Sequence, residues 1–167
     1  MGLYHGSQSR TSCIQKQLLR TLKGHLALPT ATWRDERAAS MRYIAKAYWN
    51  KGEKTQARDW YLRAITEAPY LREPYMDLAF MLYLQGEWEG VLYFTACALA
   101  ITQRPRSYIC EASAWGSLPH DLRSMAFYRT GAYDQAVEEV RKALDIEPGN
   151  ERLRKNLEFM EKLLKSF

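Results

Sequence analysis

The sequence predicts an all-α protein, a right-handed superhelix of antiparallel helix pairs closed by a C-terminal capping helix. Three observations carry this. Gly52 and Gly86 stand 34 residues apart, the period of a helix–turn–helix unit copied in register. Small residues recur where paired helices must approach closely, at Ala57 and Ala64, again at Ala98, and at Ala136 and Ala143. After Pro148 the chain ends on a one-sided apolar stripe, Leu153, Leu157, Met160 and Leu164, which is how a solenoid closes an open end.

Length and composition set the frame. A chain of 167 residues with 47% hydrophobic content suits one domain over residues 1–167 with a core of ordinary size. No apolar run approaches the roughly 20 residues that cross a bilayer, and the N-terminus lacks a signal peptide's apolar centre. Gly6 occupies the position where myristoylation wants serine or threonine. Cys13, Cys97 and Cys110 are odd in number and lack C-x-x-C spacing, which argues against a disulfide framework or a cysteine zinc site. A reducing, cytoplasmic setting follows as the expectation, with Cys97 and Cys110 as small core residues. The net charge of +5 lies wholly in residues 1–34, where Arg10, Lys16, Arg20, Lys23 and Arg34 face no acid. The remaining 19 bases balance 19 acids. A phosphate-tracking surface spreads its basic residues and interleaves aromatics, so nucleic acid is not an expected partner.

Taken in order, residues 1–11 show no usable period and are expected to be disordered. Residues 12–29 form a helix with Ile14, Leu18, Leu22 and Leu26 on one face, stopped by Pro29. It looks like the second helix of a repeat whose first is missing, as though cut from a longer chain. Thr32 and Asp35 read as a capping-box variant, opening a helix that runs to about Asn50 with Met41, Ile44, Ala45 and Tyr48 inward. Gly52 turns the chain, and Ala57, Tyr61 and Ala64 pack the second helix back, completing a unit over 38–71. The next unit, 72–105, tolerates Pro74 in its first turn and carries Leu78, Ala79 and Leu82. Its second helix has Val91 and Thr95 where the first unit has Ala57 and Tyr61. Gly131 then follows Gly86 by 45 residues instead of 34. The surplus of 11 makes 106–117 an insertion, an ordered loop or extra helical turn in which Tyr108 and Trp115 call for burial. The third unit, 118–150, brings Ala126 and Phe127, then Tyr133, Ala136, Ala143 and Pro148. Gly149 and Asn150 cap the helix over 151–167.

Tyr48, Gly52, Ala57, Tyr61, Ala64 and Pro69 fall where the tetratricopeptide repeat places its aromatic, turn glycine, small contacts and terminator, so the chain resembles that family over residues 38–150. No catalytic constellation stands out. His5, His25 and His120 are scattered, His120 and Asp121 are adjacent and cannot face each other on a helix, and Glu138–Glu139 reads as an ordinary solvated pair. Neither cofactor nor metal is expected, and the chain by itself is not expected to be an enzyme.

Function must then come from a surface. By repeat register, the first helices line a concave groove with Arg42, Tyr43, Lys46 and Trp49. Glu73, Met76, Asp77, Phe80 and Tyr83 follow, then Asp121, Leu122, Met125, Tyr128 and Arg129. Aromatics flanked by both signs of charge suit a protein, peptide or helix partner, including a second copy of the chain. Arg42 and Lys46 could hold a peptide carboxylate as chaperone-tail binding repeats do, yet Glu73 and Asp77 would repel it.

A narrower resemblance rests on TWRDERAASMRYIA at 32–45, YLRAITEAPYLREPYMDLA at 61–79, then Tyr108, Trp115-Gly116, Asp121-Leu122, and Arg152-Leu153 with Asn156. These words are similar to the tetratricopeptide tail that follows the catalytic domain in bacterial family 2 glycosyltransferases. The resemblance implies a non-catalytic interaction or self-association module of such a transferase, since the metal-holding Asp-x-Asp motif is absent. An independent adaptor binding a peptide or helix in its aromatic groove is the alternative.

Overall fold

The structure is a computed structural model that describes residues 5–165, with side chains from residue 14 onward. The described residues form nine helices: α1 (His5–Ala27), α2 (Arg34–Asn50), α3 (Lys54–Glu67), α4 (Arg72–Gln85), α5 (Trp88–Ala100), α6 (Ala112–Trp115), α7 (Leu118–Arg129), α8 (Tyr133–Ile146) and α9 (Glu151–Leu164). They gather into two compact units, residues 1–69 and 70–167, where composition suggested one domain. Helical repeats contact only their neighbours, so a chain of them can divide without a linker.

In the first unit α2 packs on both α1 and α3. Helix α1 begins at His5, well before the apolar stripe. Of the stretch expected to be disordered, residues 1–4 lie outside the described residues and the remainder is helical. Once a helix is nucleated, each added residue costs little. Helix α2 spans the expected length, but its N-cap is Trp33, with no side-chain cap hydrogen bond. Thr32 therefore stands one residue too early to cap, while Asp35 and Glu36 still place negative charge in the first turn. Gly52 has φ 79°, and Gly86 and Gly131 take the same left-handed turn at 74° and 80°, a conformation costly for residues with a Cβ. Ile44, Ala45, Ala57 and Ala64 are fully buried and Tyr61 nearly so, as the repeat pattern requires. Polar ties reinforce the packing. Lys23 Nζ donates to Tyr48 Oη at 2.7 Å, and Arg37 joins the Glu67 carboxylate to the carbonyl oxygens of Leu26 and Ala31.

The second unit contains two helix pairs, α4–α5 and α7–α8, with α9 on α8. Thr95, standing where the first unit has tyrosine, is fully buried and its hydroxyl donates to the Val91 carbonyl at 2.6 Å. The insertion is ordered and holds the single turn α6, packed on α4 and α7. Its aromatics divide: Trp115 is half-buried, whereas Tyr108 is 76% exposed and does not meet the expectation of burial. Cys97 and Cys110 are also only half-buried. The C-terminal core joins Ala136, Val137, Val140 and Ala143 of α8 to Leu153 and Met160 of α9. Asn150 caps α9, its Oδ1 accepting the Leu153 N–H at 3.3 Å. Glu139 is a correction: it is 6% exposed, unlike a solvated helix acid. It is tolerated because His120 Nδ1–H donates to it at 2.8 Å and Arg123 lies 3.3 Å away.

Candidate partner-binding surface

The residues expected to form the groove separate by exposure. In the first unit Tyr43 and Lys46 on α2 are exposed and Trp49 is half-buried. Arg42 is only 7% exposed, so its charge is not displayed. In the second unit Met76 and Leu122 are core residues at 3% exposure each, and Glu73 is buried at 1%.

Glu73 corrects the sequence reading most clearly. One oxygen accepts the Glu111 N–H at 2.9 Å and the Trp115 Nε1–H at 3.0 Å, and the other has no hydrogen-bond partner among the described residues. Arg72 caps the arrangement, its guanidinium 4.1 Å from the Trp115 ring centroid while its Nε donates to the Ile101 carbonyl. A side chain expected to repel ligand carboxylates instead fastens the insertion to α4. Burial pushes the nearby Cys110 thiol above its usual range, the Glu73 charge adding to the effect, which leaves this sulfur a poor nucleophile.

Asp121 is likewise withdrawn. It is 8% exposed and accepts both arms of Arg152, at 3.1 and 2.7 Å, a fork-to-fork pair fixed in direction. That hydrogen bonding raises the Arg152 pKa further above its usual value. Arg152, on α9, thus ties that helix to α7.

In the second unit, aromatic rings and the exposed Arg129 remain on view. Phe80, 46% exposed, stacks on Tyr83 with centroids 6.2 Å apart. Tyr83 meets the edge of Trp88 at 5.7 Å, and Arg129 lies over that indole at 5.3 Å. A second set pairs Tyr128 with Phe159 of α9 at 5.8 Å, and Phe159 is 54% exposed. Asp77 and Met125 are half-buried. Trp88, Arg152 and Phe159 were absent from the sequence-derived surface. Arg152, Asn156 and Phe159 follow helical spacing on a second face of α9, a signal the regular core stripe obscures.

Among the described residues no group of three histidine, cysteine or acidic side chains could hold a metal ion, and no described helix is long and apolar enough to cross a membrane.

The tetratricopeptide repeat family model matches residues 44–70 and 120–150. Solved structures with the same fold include the first such domain of Spaghetti (RPAP3) bound to the HSP90 peptide SRMEEVD, at 18% identity and TM-score 0.66, covering 78% of this chain and 95% of that one. The domain of Arabidopsis OM64 matches at 17% identity and TM-score 0.65, covering 78% and 98%. The N-terminal domain of stress-induced protein-1 from C. elegans matches at 16% identity and TM-score 0.66, covering 77% and 97%. No curated protein matches the chain by sequence. None of these comparisons supports the resemblance to a glycosyltransferase tail.

Proposed function

We propose that the chain is a protein-interaction module that binds a peptide or an amphipathic helix on the aromatic surface of its second unit. The observation that carries this reading is a pair of ring sets in the second unit, Phe80, Tyr83 and Trp88 with Arg129, and Tyr128 with Phe159. Rigid rings that already touch one another supply contact area with little ordering cost, and they dominate interface energies. A structural neighbour that carries an HSP90 peptide lends the same fold to the same kind of task. The mode differs, however. Arg42 is buried and Arg152 is paired with Asp121, while the exposed Arg129 lies over the Trp88 ring, so recognition is led by apolar side chains within the peptide.

Selection of a displayed peptide library on the intact chain tests this. Enriched peptides are expected to weaken by about tenfold or more on F80A/F159A, roughly 1.4 kcal/mol, and to bind equally well when C-terminally amidated. Binding that survives F80A/F159A, or that requires a free carboxylate, would overturn the proposal.

A second reading, a non-catalytic region of a bacterial family 2 glycosyltransferase, draws on one observation. The words that suggest it contain Arg72, Glu73, Trp115, Asp121 and Arg152, and these residues pair with each other. They form a set that the repeat pattern does not demand. A catalytic domain encoded in the same reading frame would decide for it, and an unrelated neighbour would decide against.

A further inference from the structure

Helix α1 carries apolar residues on two sides and is packed on one. Among the described helices it lies chiefly against α2, with Leu19 buried and Leu26 half-buried. Its other side presents Ile14, Gln17, Leu18, Thr21 and Gly24, continued by Leu28 in the turn that follows, and all six are exposed. Ile14, Leu18 and Leu28 stand at 66%, 42% and 52% exposure. Steps of three and four residues align the six in one stripe along the helix.

The stripe has the relief of a helix-packing face. A glycine inside a helix weakens it relative to alanine, and a Cβ added at Gly24 would meet nothing within 4 Å, so no neighbour among the described residues requires glycine there. Thr21 and Gly24 leave a notch between Ile14 and Leu18 at one end and Leu28 at the other, into which the side chains of another helix can pack. The charge beside it has one sign. Lys16 and Arg20 are exposed along one edge of the stripe, Lys23 turns toward α2 and donates to Tyr48 Oη at 2.7 Å, and no acid occurs in residues 1–34. The wider field agrees: residues 1–69 hold twelve lysines and arginines against five acids, whereas residues 70–167 hold twelve against fourteen. An acidic partner is thus steered to the first unit.

We infer that this face of α1 docks an amphipathic helix of a partner protein, aliphatic where it meets Ile14, Leu18 and Leu28 and acidic along the edge that meets Lys16 and Arg20. Charge complementarity selects that occupant. A single-stranded nucleic acid would want rings on which its bases stack, and this face has none. A lipid surface would want a broader apolar face than three aliphatics interrupted by Gln17, Thr21 and Gly24. No residue of α1 enters the aromatic surface of the second unit, so either site can fail without the other.

The test uses the whole chain and a labelled, doubly capped peptide with leucines at helical spacing and glutamates between them, followed by fluorescence anisotropy. Binding is expected to weaken with added salt and to fall by about tenfold or more in K16E/R20E. It should fall likewise in I14S/L18S and in G24L, whose added side chain fills the notch, and persist in K16R/R20K and in F80A/F159A. A peptide with lysines in place of the glutamates should bind about tenfold more weakly or worse. Circular dichroism melting of each variant reports whether folding is retained; the salt and lysine arms need no variant at all. Absence of binding by the glutamate peptide, equal binding by a folded K16E/R20E, indifference to salt, or loss in F80A/F159A would overturn the inference. Tighter association with oligothymidylate or with anionic vesicles would also overturn it, reassigning the face to a different class of anion. So would a chain that sediments as a dimer until I14S/L18S is introduced, which would give the face to a second copy.

Discussion

Glu73 is the residue on which the insertion depends. A carboxylate with 1% exposure is rare unless its oxygens are used, and here a single oxygen serves two donors separated from it by 38 and 42 positions in sequence. Replacing Glu73 with alanine strands both donors in a buried site and is expected to cost about 2–4 kcal/mol. Glu73→Gln keeps an accepting oxygen and adds no charge, so its melting temperature should stay close to that of the parent. Trp115 fluorescence provides the independent readout: the alanine variant should shift toward a solvated indole and the glutamine variant should not. Glu139 makes a prediction about pH. Burial alone would raise its pKa, but the hydrogen bond from His120, with the charges of Arg123 and Lys142, outweighs burial and holds it below the usual glutamate range. A lowered folded-state pKa means stability that is complete above the ordinary glutamate value of about 4.3 and is lost as pH falls through the depressed one. E139Q should therefore lose stability relative to the parent at neutral pH and converge toward it in acid. Parallel melting curves from pH 7 to about 3 check this, and an unchanging gap would refute it.

At the scale of elements, the α2–α3 pair shows how closely local pattern governs packing. Ala64 is fully buried where the two backbones meet, so Ala64→Trp is expected to cost roughly 1–3 kcal/mol by overpacking; denaturant titration measures it. Helices of this kind were legible from sequence because their determinants are local. A glycine free to take positive φ, a small residue at each crossing and a 3.6-residue apolar stripe act within one or two turns. The surface was less legible because its determinants are distant. Glu73 shares the register of the groove, yet folding of the insertion decides whether it faces a ligand or the Trp115 indole. Arg152 and Asp121 are 31 positions apart, and nothing short of the α7–α9 geometry pairs them. Tyr108 illustrates the opposite error, since at 76% exposure it shows that aromatic character alone does not bury a side chain. At the start of α2 the N-cap falls on Trp33, one residue beyond Thr32, and a shift that small converts an expected cap into loop.

For the whole molecule, the division at Pro69 and Tyr70 has a thermodynamic consequence. The second unit holds its own core, the Glu73 latch, the Asp121–Arg152 pair and a further tie in which Ser117 Oγ donates to Glu147 at 2.7 Å and Asn150 donates to its other oxygen at 2.9 Å. Each of these contacts closes within residues 70–167, so none depends on the first unit. In arrays of helical repeats, stability is nearly the sum of unit and nearest-neighbour contributions, and a unit with that many internal ties should fold when expressed alone. The fragment 70–167 is therefore expected to show a helical circular dichroism spectrum, a single cooperative thermal transition and undiminished binding of peptides selected on the intact chain. A helical fragment that no longer binds them would place part of the recognition surface in residues 1–69. An unfolded one would show that the second core requires the first, and that the boundary between them is one of contact density without independence.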